Sequence, residues 1–216
     1  MKLYLSSYKL GDKTEELKRW IADHNNKICL IPNSRDVFPD GERKVTGIQA
    51  DVKDLEDLGF DVTIISLKDY FNRKEELRDR LEEFKAFYVI GGNTFALRQA
   101  MYLSGFDEYF KSIEDKPDYL YAGYSAGICV LAKDMHGLEK CDDPSINPYE
   151  IETIWEGLGY FDYLFLPHYK SNHKETKLID DSVEYCNKNN IKYRTLRDGD
   201  VIIVDTCKRI EQEEER

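Results

Sequence analysis

Apolar positions along the chain follow two alternating rhythms. Compact or every-second-residue runs at 2–6 (KLYLS), 28–32 (ICLIP), 61–67 (DVTIISL), 86–90 (AFYVI), 119–124, 161–166 and 201–205 predict strands. The most apolar of these, such as ICLIP, have the composition of strands covered on both faces. Between them, apolar residues recur at helical spacing. Leu17, Trp20 and Ile21 predict a helix over 14–24, and Val45, Ile48, Val52, Leu55 and Leu58 predict another over 45–58, stopped by Gly59. A charged amphipathic helix is predicted over 74–84, short helices over 94–103 and 106–113, a small-residue helix over 126–132, and a last helix over 174–187. The stretch 134–159 carries Pro144, Pro148 and several acids without either period, and reads as irregular.

Strands separated by helices need crossover connections, so the predicted sheet is mostly parallel with helices on both faces. There is no internal repeat and no interdomain linker. The expectation is one α/β domain over 1–207, followed by a charged, solvated tail over 208–216 that ends in EQEEER.

Composition narrows the function. With 31 Lys+Arg against 42 Asp+Glu the chain carries a formal charge of −11, which repels phosphates and argues against nucleic-acid or anionic-membrane binding. No apolar run approaches a membrane span, and MKLYLSSYKL is too short and interrupted for a signal-peptide core. Cys29, Cys129, Cys141, Cys186 and Cys207 are odd in number, scattered and free of C-x-x-C pairs. They predict reduced thiols in a cytoplasmic protein rather than a disulfide framework or zinc knuckle.

In parallel α/β folds, ligands meet the sheet at the carboxyl ends of its strands. Three predicted strand ends carry unusual chemistry. Gly123-Tyr124-Ser125-Ala126-Gly127 fits G-x-S-x-G between a strand and a helix, where a tight turn exposes the central side chain in a strained conformation. Ser125 is therefore the candidate nucleophile, and the Ala126 N–H a candidate oxyanion donor at a helix start. Gly91-Gly92-Asn93-Thr94 ends another strand, and its Gly92 N–H could be a second donor. Neither dinucleotide nor phosphate-loop glycine patterns occur, so a nucleotide site gains little support. Of four histidines, His168 alone follows an apolar strand and should reach the same sheet edge as Ser125, as general base. No second His or Cys has ligand spacing, so no metal or other cofactor is expected.

Taken in order, GGNTF (91–95), GYSAG (123–127) and PHY (167–169) resemble peptidase family S51, which includes dipeptidase E and cyanophycinase. The resemblance spans the chain from its first strand to Asp205. It implies a flavodoxin-like sheet related to class I glutamine amidotransferases, and a serine peptidase with Ser125 as nucleophile, His168 as base, and the Gly92 and Ala126 amides as oxyanion hole. It also implies an aspartate between nucleophile and histidine, before a proline. Cys141-Asp142-Asp143-Pro144 is the nearest match, making Asp142 or Asp143 the group that orients His168, with Glu152, Glu156 and Asp198 as alternatives. Where dipeptidase E carries an arginine for the substrate's aspartate, this chain has Lys177 in Asn172-His173-Lys174-Glu175-Thr176-Lys177. Lysine lacks the two-pronged guanidinium grip, which weakens the case for strict Asp-X specificity. Asn93 and Thr94 complete the expected substrate contacts.

The expected reaction is hydrolysis of short peptides through an acyl-enzyme, with the loop 134–159 roofing the site. A small-molecule esterase and a non-catalytic ligand binder that kept the pocket are the competing readings. The expected partner is a small peptide, with no nucleic acid and no membrane.

Overall fold

A computed structural model describes residues 1–206; the charged tail read at 208–216, together with residue 207, lies outside the described residues. Eight strands are described: β1 (Lys2–Ser6), β2 (Lys27–Ile31), β3 (Asp61–Ile64), β4 (Ala86–Val89), β5 (Leu120–Tyr124), β6 (Leu164–Leu166), β7 (Tyr193–Thr195) and β8 (Val201–Asp205). Seven α-helices alternate with them: α1 (Thr14–Asp23), α2 (Glu42–Glu56), α3 (Lys74–Leu81), α4 (Thr94–Ser104), α5 (Phe106–Ser112), α6 (Ala126–Cys129) and α7 (Thr176–Asn189).

Six strands form one sheet in the order β3-β2-β4-β5-β1-β8, parallel except for β8, which runs antiparallel along β1. Strand alternation sends side chains to two separate cores. Leu3, Leu5, Cys29, Ile31, Phe87, Val89 and Tyr121 pack on one face, under α4, α5 and the long loop. Tyr4, Ile28, Leu30, Tyr88, Leu120 and Tyr124 pack on the other, against Leu17 and Trp20 of α1 and Val52 and Leu55 of α2. The fold is thus a mostly parallel central sheet flanked by helices, of the flavodoxin-like type. Among the described residues no helix is long and apolar enough to cross a membrane.

The expected strand over 161–166 shortens to β6 and does not join this sheet. It pairs in parallel with β7, a strand that its few residues and lack of a periodic signal hid from the sequence. Region 134–159 is irregular as expected, with a single 3-10 turn at Leu138–Lys140 and short bridges tying it to the chain around Ala132 and Asp134.

The registers set the site. Val89 pairs with Gly123, and Ser6 pairs with Tyr124. The carboxyl ends of β4, β5 and β1 therefore lie level, delivering Gly91-Gly92, Ser125 and Ser7 to one edge.

Candidate active site

Ser125 stands between β5 and α6 at φ 50°, ψ −118°, a backbone region that L-residues rarely occupy. The turn can be this sharp because its neighbours have no side chains. A Cβ on Gly127 would lie 2.2 Å from the Val89 carbonyl oxygen, and one on Gly91 would lie 2.9 Å from Ser125 Cβ. Gly92 is equally constrained, since its Cβ would fall 2.3 Å from the Ser34 carbonyl oxygen. Among the described residues, the N–H groups of Gly92 and Ala126 and the Ser125 hydroxyl have no hydrogen-bond partner in the chain. A buried amide without a partner favours an incoming acceptor.

His168 is 1% exposed and also adopts a positive φ, 63°. Its Nδ1 lies 2.7 Å from Asp198 Oδ1. A carboxylate only accepts, so Nδ1 carries the imidazole proton and Nε2 is left with a lone pair. Ser7, one residue beyond β1, links both partners: its Oγ accepts the His168 backbone N–H at 2.9 Å and donates to Asp198 Oδ1 at 3.1 Å. The Asp198 N–H donates to Ser171 Oγ at 2.8 Å. His168 thus reaches the sheet edge through side-chain bonds to the end of β1 and not through a strand of that sheet.

Asp142 is not the carboxylate on His168. Its Oδ2 accepts from Thr94 N–H at 2.8 Å and from Thr94 Oγ1 at 2.6 Å, at the start of α4. Burial pushes its carboxyl up to about 6, against those two hydrogen bonds, which pull it down. Asp143 turns to Ser145, whose N–H and Oγ donate to it, while its carbonyl accepts from Asn93 Nδ2. Glu152 and Glu156 are exposed, and their backbone carbonyls accept from Gln99 and Arg98. Of the carboxylates weighed from the sequence, Asp198 is the one in place.

The expected substrate contacts divide similarly. Asn93 lines the cavity, but its Oδ1 caps α4 by accepting the Ala96 N–H at 2.9 Å. Thr94 is fully buried and holds Asp142. Lys177 is exposed on α7 and does not line the cavity, whereas Lys9, Arg35 and Lys174 do.

Arg35 is a residue the sequence reading missed. Its Nε donates to the Gly91 carbonyl at 3.2 Å, its Nη2 donates to Tyr124 Oη at 2.7 Å, and it forms an ion pair with buried Asp51 at 2.7 Å. Tyr124 Oη also donates to Asp51 Oδ1 at 3.0 Å. This network ties the glycine turn after β4 to the residue preceding the nucleophile. Burial raises the Asp51 carboxyl, and Arg35 and Lys9 oppose that rise. Asp51 lies three residues after Ile48 on the apolar face of α2; an acid in that stripe was the available signal.

These groups surround a cavity of about 420 Å³, lined among others by Tyr8, Arg35, Gly92, Ser125, His168 and Glu175. The histidine expected to have no ligand-type neighbours has two. His173 stacks on His168 with centroids 3.8 Å apart, and Glu175 Oε2 lies 4.0 Å from His168 Nε2.

Residues 4–210 match the family model of peptidase family S51. The chain belongs to that family. Membership makes it a serine-type peptidase, a hydrolase of peptide bonds. The S51 chain is 27% identical over 177 residues to an uncharacterized peptidase of Listeria innocua, covering 82% of this chain and 79% of that one. It is 30% identical over 132 residues to peptidase E of Streptomyces coelicolor, covering 58% of this chain and 51% of the relative. In fold it is similar to the crystal structure of a peptidase E candidate from Listeria monocytogenes, with a TM-score of 0.72 at 21% identity over 94% of this chain and 98% of the other.

Proposed function

We propose that this S51 peptidase hydrolyses short peptides with a free N-terminus through an acyl-enzyme on Ser125. The observation that carries the reading is the convergence, on one cavity, of a strained serine with a free hydroxyl, an imidazole bonded through Nδ1 to a carboxylate, and two unpartnered amides. His168 Nε2 takes the Ser125 hydroxyl proton as Oγ bonds to the scissile carbonyl carbon. The Gly92 and Ala126 N–H groups hold the resulting oxyanion. The C–N bond then breaks, and the amine leaves with the proton from Nε2. Water, deprotonated by the same nitrogen, releases the acyl group as a carboxylic acid. Asp198 orients the ring and stabilises its charged form; Ser7 positions both.

Substrate choice follows from the lining. Asp142 and Glu175 face the cavity and suit a free N-terminal ammonium, while Lys9 and Lys174 offer cations for a substrate carboxylate. In this reading Lys174, not Lys177, supplies the positive charge near an aspartyl side chain. A cavity of this size accepts a dipeptide and not a folded loop.

The test is a panel of Asp-X, Glu-X, Ala-X and β-Asp-Arg dipeptides, free and N-acetylated, with wild type and Ser125→Ala. Release of free amino acids by wild type alone, from the unblocked peptides, is the expected result. Turnover of simple esters with no peptide cleaved, or efficient digestion of casein, would overturn the reading.

A further inference from the structure

The turn between β6 and α7 gathers three metal-ligand side chains whose sequence spacing carries no such signal. Positive φ at His168 (63°) and Lys170 (50°) folds the segment back on itself. Thr176 Oγ1 closes it, within 2.9 Å of the His168 carbonyl and 2.8 Å of the Ser171 carbonyl. One ligand atom each from His168, His173 and Glu175 then lies within 4.8 Å of the others.

We propose that His168, His173 and Glu175 bind one Zn²⁺ ion at the mouth of the cavity, and that the bound ion switches the enzyme off. Two imidazoles and a carboxylate are the donor set zinc favours, leaving a fourth position open to the cavity. The outer shell is already built. Asp198 accepts the Nδ1 proton of His168 at 2.7 Å, which fixes the ring, points the Nε2 lone pair outward and raises its basicity as a ligand. Glu175 Oε2 stands 4.0 Å from that nitrogen, so the ion draws the two together by a fraction of an ångström to reach bonding distances near 2 Å from each.

His173 supplies the movable part. Its ring lies nearly parallel to His168, at 11°, and two stacked rings cannot both aim in-plane lone pairs at one ion. It therefore tilts out of the stack and gives up the weak 3.3 Å hydrogen bond from the Glu175 N–H. Tyr8, edge-on to His168 and tilted against His173, bounds the swing on the other side. Lys174 Nζ, 3.7 Å from Glu175 Oε1, is the cation that the ion displaces; its side chain is 75% exposed and free to leave. Zinc on His168 Nε2 occupies the lone pair that accepts the Ser125 proton. Inhibition, unlike binding, rests on the reading of His168 as the base.

Calorimetric titration of Zn²⁺ into the full chain, and absorption spectra with Co²⁺, decide the matter. One ion per chain is expected, with a tetrahedral cobalt spectrum. His173→Ala and Glu175→Gln should each weaken binding by about tenfold or more, while Ser125→Ala should bind like wild type. Zinc should abolish peptide turnover at the concentrations that fill the site, and a chelator should restore it. Absence of binding, equal affinity in both ligand variants, or full turnover with the site filled would overturn the proposal. Circular dichroism of each variant separates loss of ligand from loss of fold, and the cobalt spectrum of wild type needs no variant. The binding measurements read the same if no peptide is cleaved, so failure of the zinc site and failure of the peptidase reading are distinct results.

Discussion

Asp198 Oδ1 accepts the Nδ1 proton of His168 at 2.7 Å, across thirty residues of chain. The contact exists because β8 runs antiparallel beside β1, so the turn before β8 arrives at the carboxyl end of β1, where Ser7 bonds to both partners. Leu196 N–H donating to the Leu166 carbonyl, and Tyr169 N–H to the Leu196 carbonyl, hold the two segments side by side.

This arrangement separates two aspartates by role. Asp198→Asn keeps the shape but loses the negative charge and turns one acceptor into an NH2 donor. The imidazole tautomer is then no longer fixed, and kcat should fall on the order of a thousandfold or more. Asp142→Asn leaves the base untouched and should act mainly on KM. Steady-state kinetics of both variants on one dipeptide check this, and a larger loss of kcat in Asp142→Asn would contradict it.

Ser125 holds a conformation suited to glycine, with no hydrogen bond from its hydroxyl to compensate. Backbone strain of this kind costs about 1–3 kcal/mol, and glycine's extra freedom in the unfolded chain returns about 0.5–1 kcal/mol of that. Ser125→Gly should therefore be inactive yet melt a few degrees above wild type and above Ser125→Ala. Equal melting temperatures in thermal denaturation would limit the strain to the roughly 0.5–1 kcal/mol that glycine's unfolded-state freedom offsets.

Asp142 titrates at about 6 in the folded chain because it is buried, above its usual 3.8. The folded state thus holds this proton more tightly than the unfolded one, and its contribution to stability falls as pH rises through the window from about 4 to 6. Asp142→Asn has no such proton. The stability of wild type relative to that variant should decline across the window by on the order of 1–3 kcal/mol, then level off above it. Denaturant unfolding of both proteins at a series of pH values measures the difference, and a flat difference would remove Asp142 as the cause.

Gly127 has backbone angles open to any residue, and only the approach of the Val89 carbonyl forbids a side chain there. Gly127→Ala should destabilise by roughly 1–3 kcal/mol or more, because relief requires moving β4 against β5. Gly41, with nothing near its Cβ, is the control: Gly41→Ala should leave the melting temperature close to wild type.

Much of the fold was legible locally. Helix and strand periods depend on neighbours a few residues apart, and the boundaries of β1, β8 and the start of α4 emerged where the pattern placed them. The G-x-S-x-G turn was equally legible, because the glycines and the serine that build it are adjacent. The Asp142 expectation failed for a different reason. The family resemblance implied an acid between Ser125 and His168, but the start of α4 offered that acid two hydrogen bonds from Thr94.

By itself, then, the sequence determined the alternation of elements, the strained serine at a strand end and the family. Each follows from residues close together in the chain. Which carboxylate meets His168, that Arg35 braces the glycine turn, and that His173 and Glu175 gather on the base were decided only by tertiary structure. Those partners are set by strand order, by the separate pairing of β6 with β7, and by competition among buried polar groups for a limited number of hydrogen bonds.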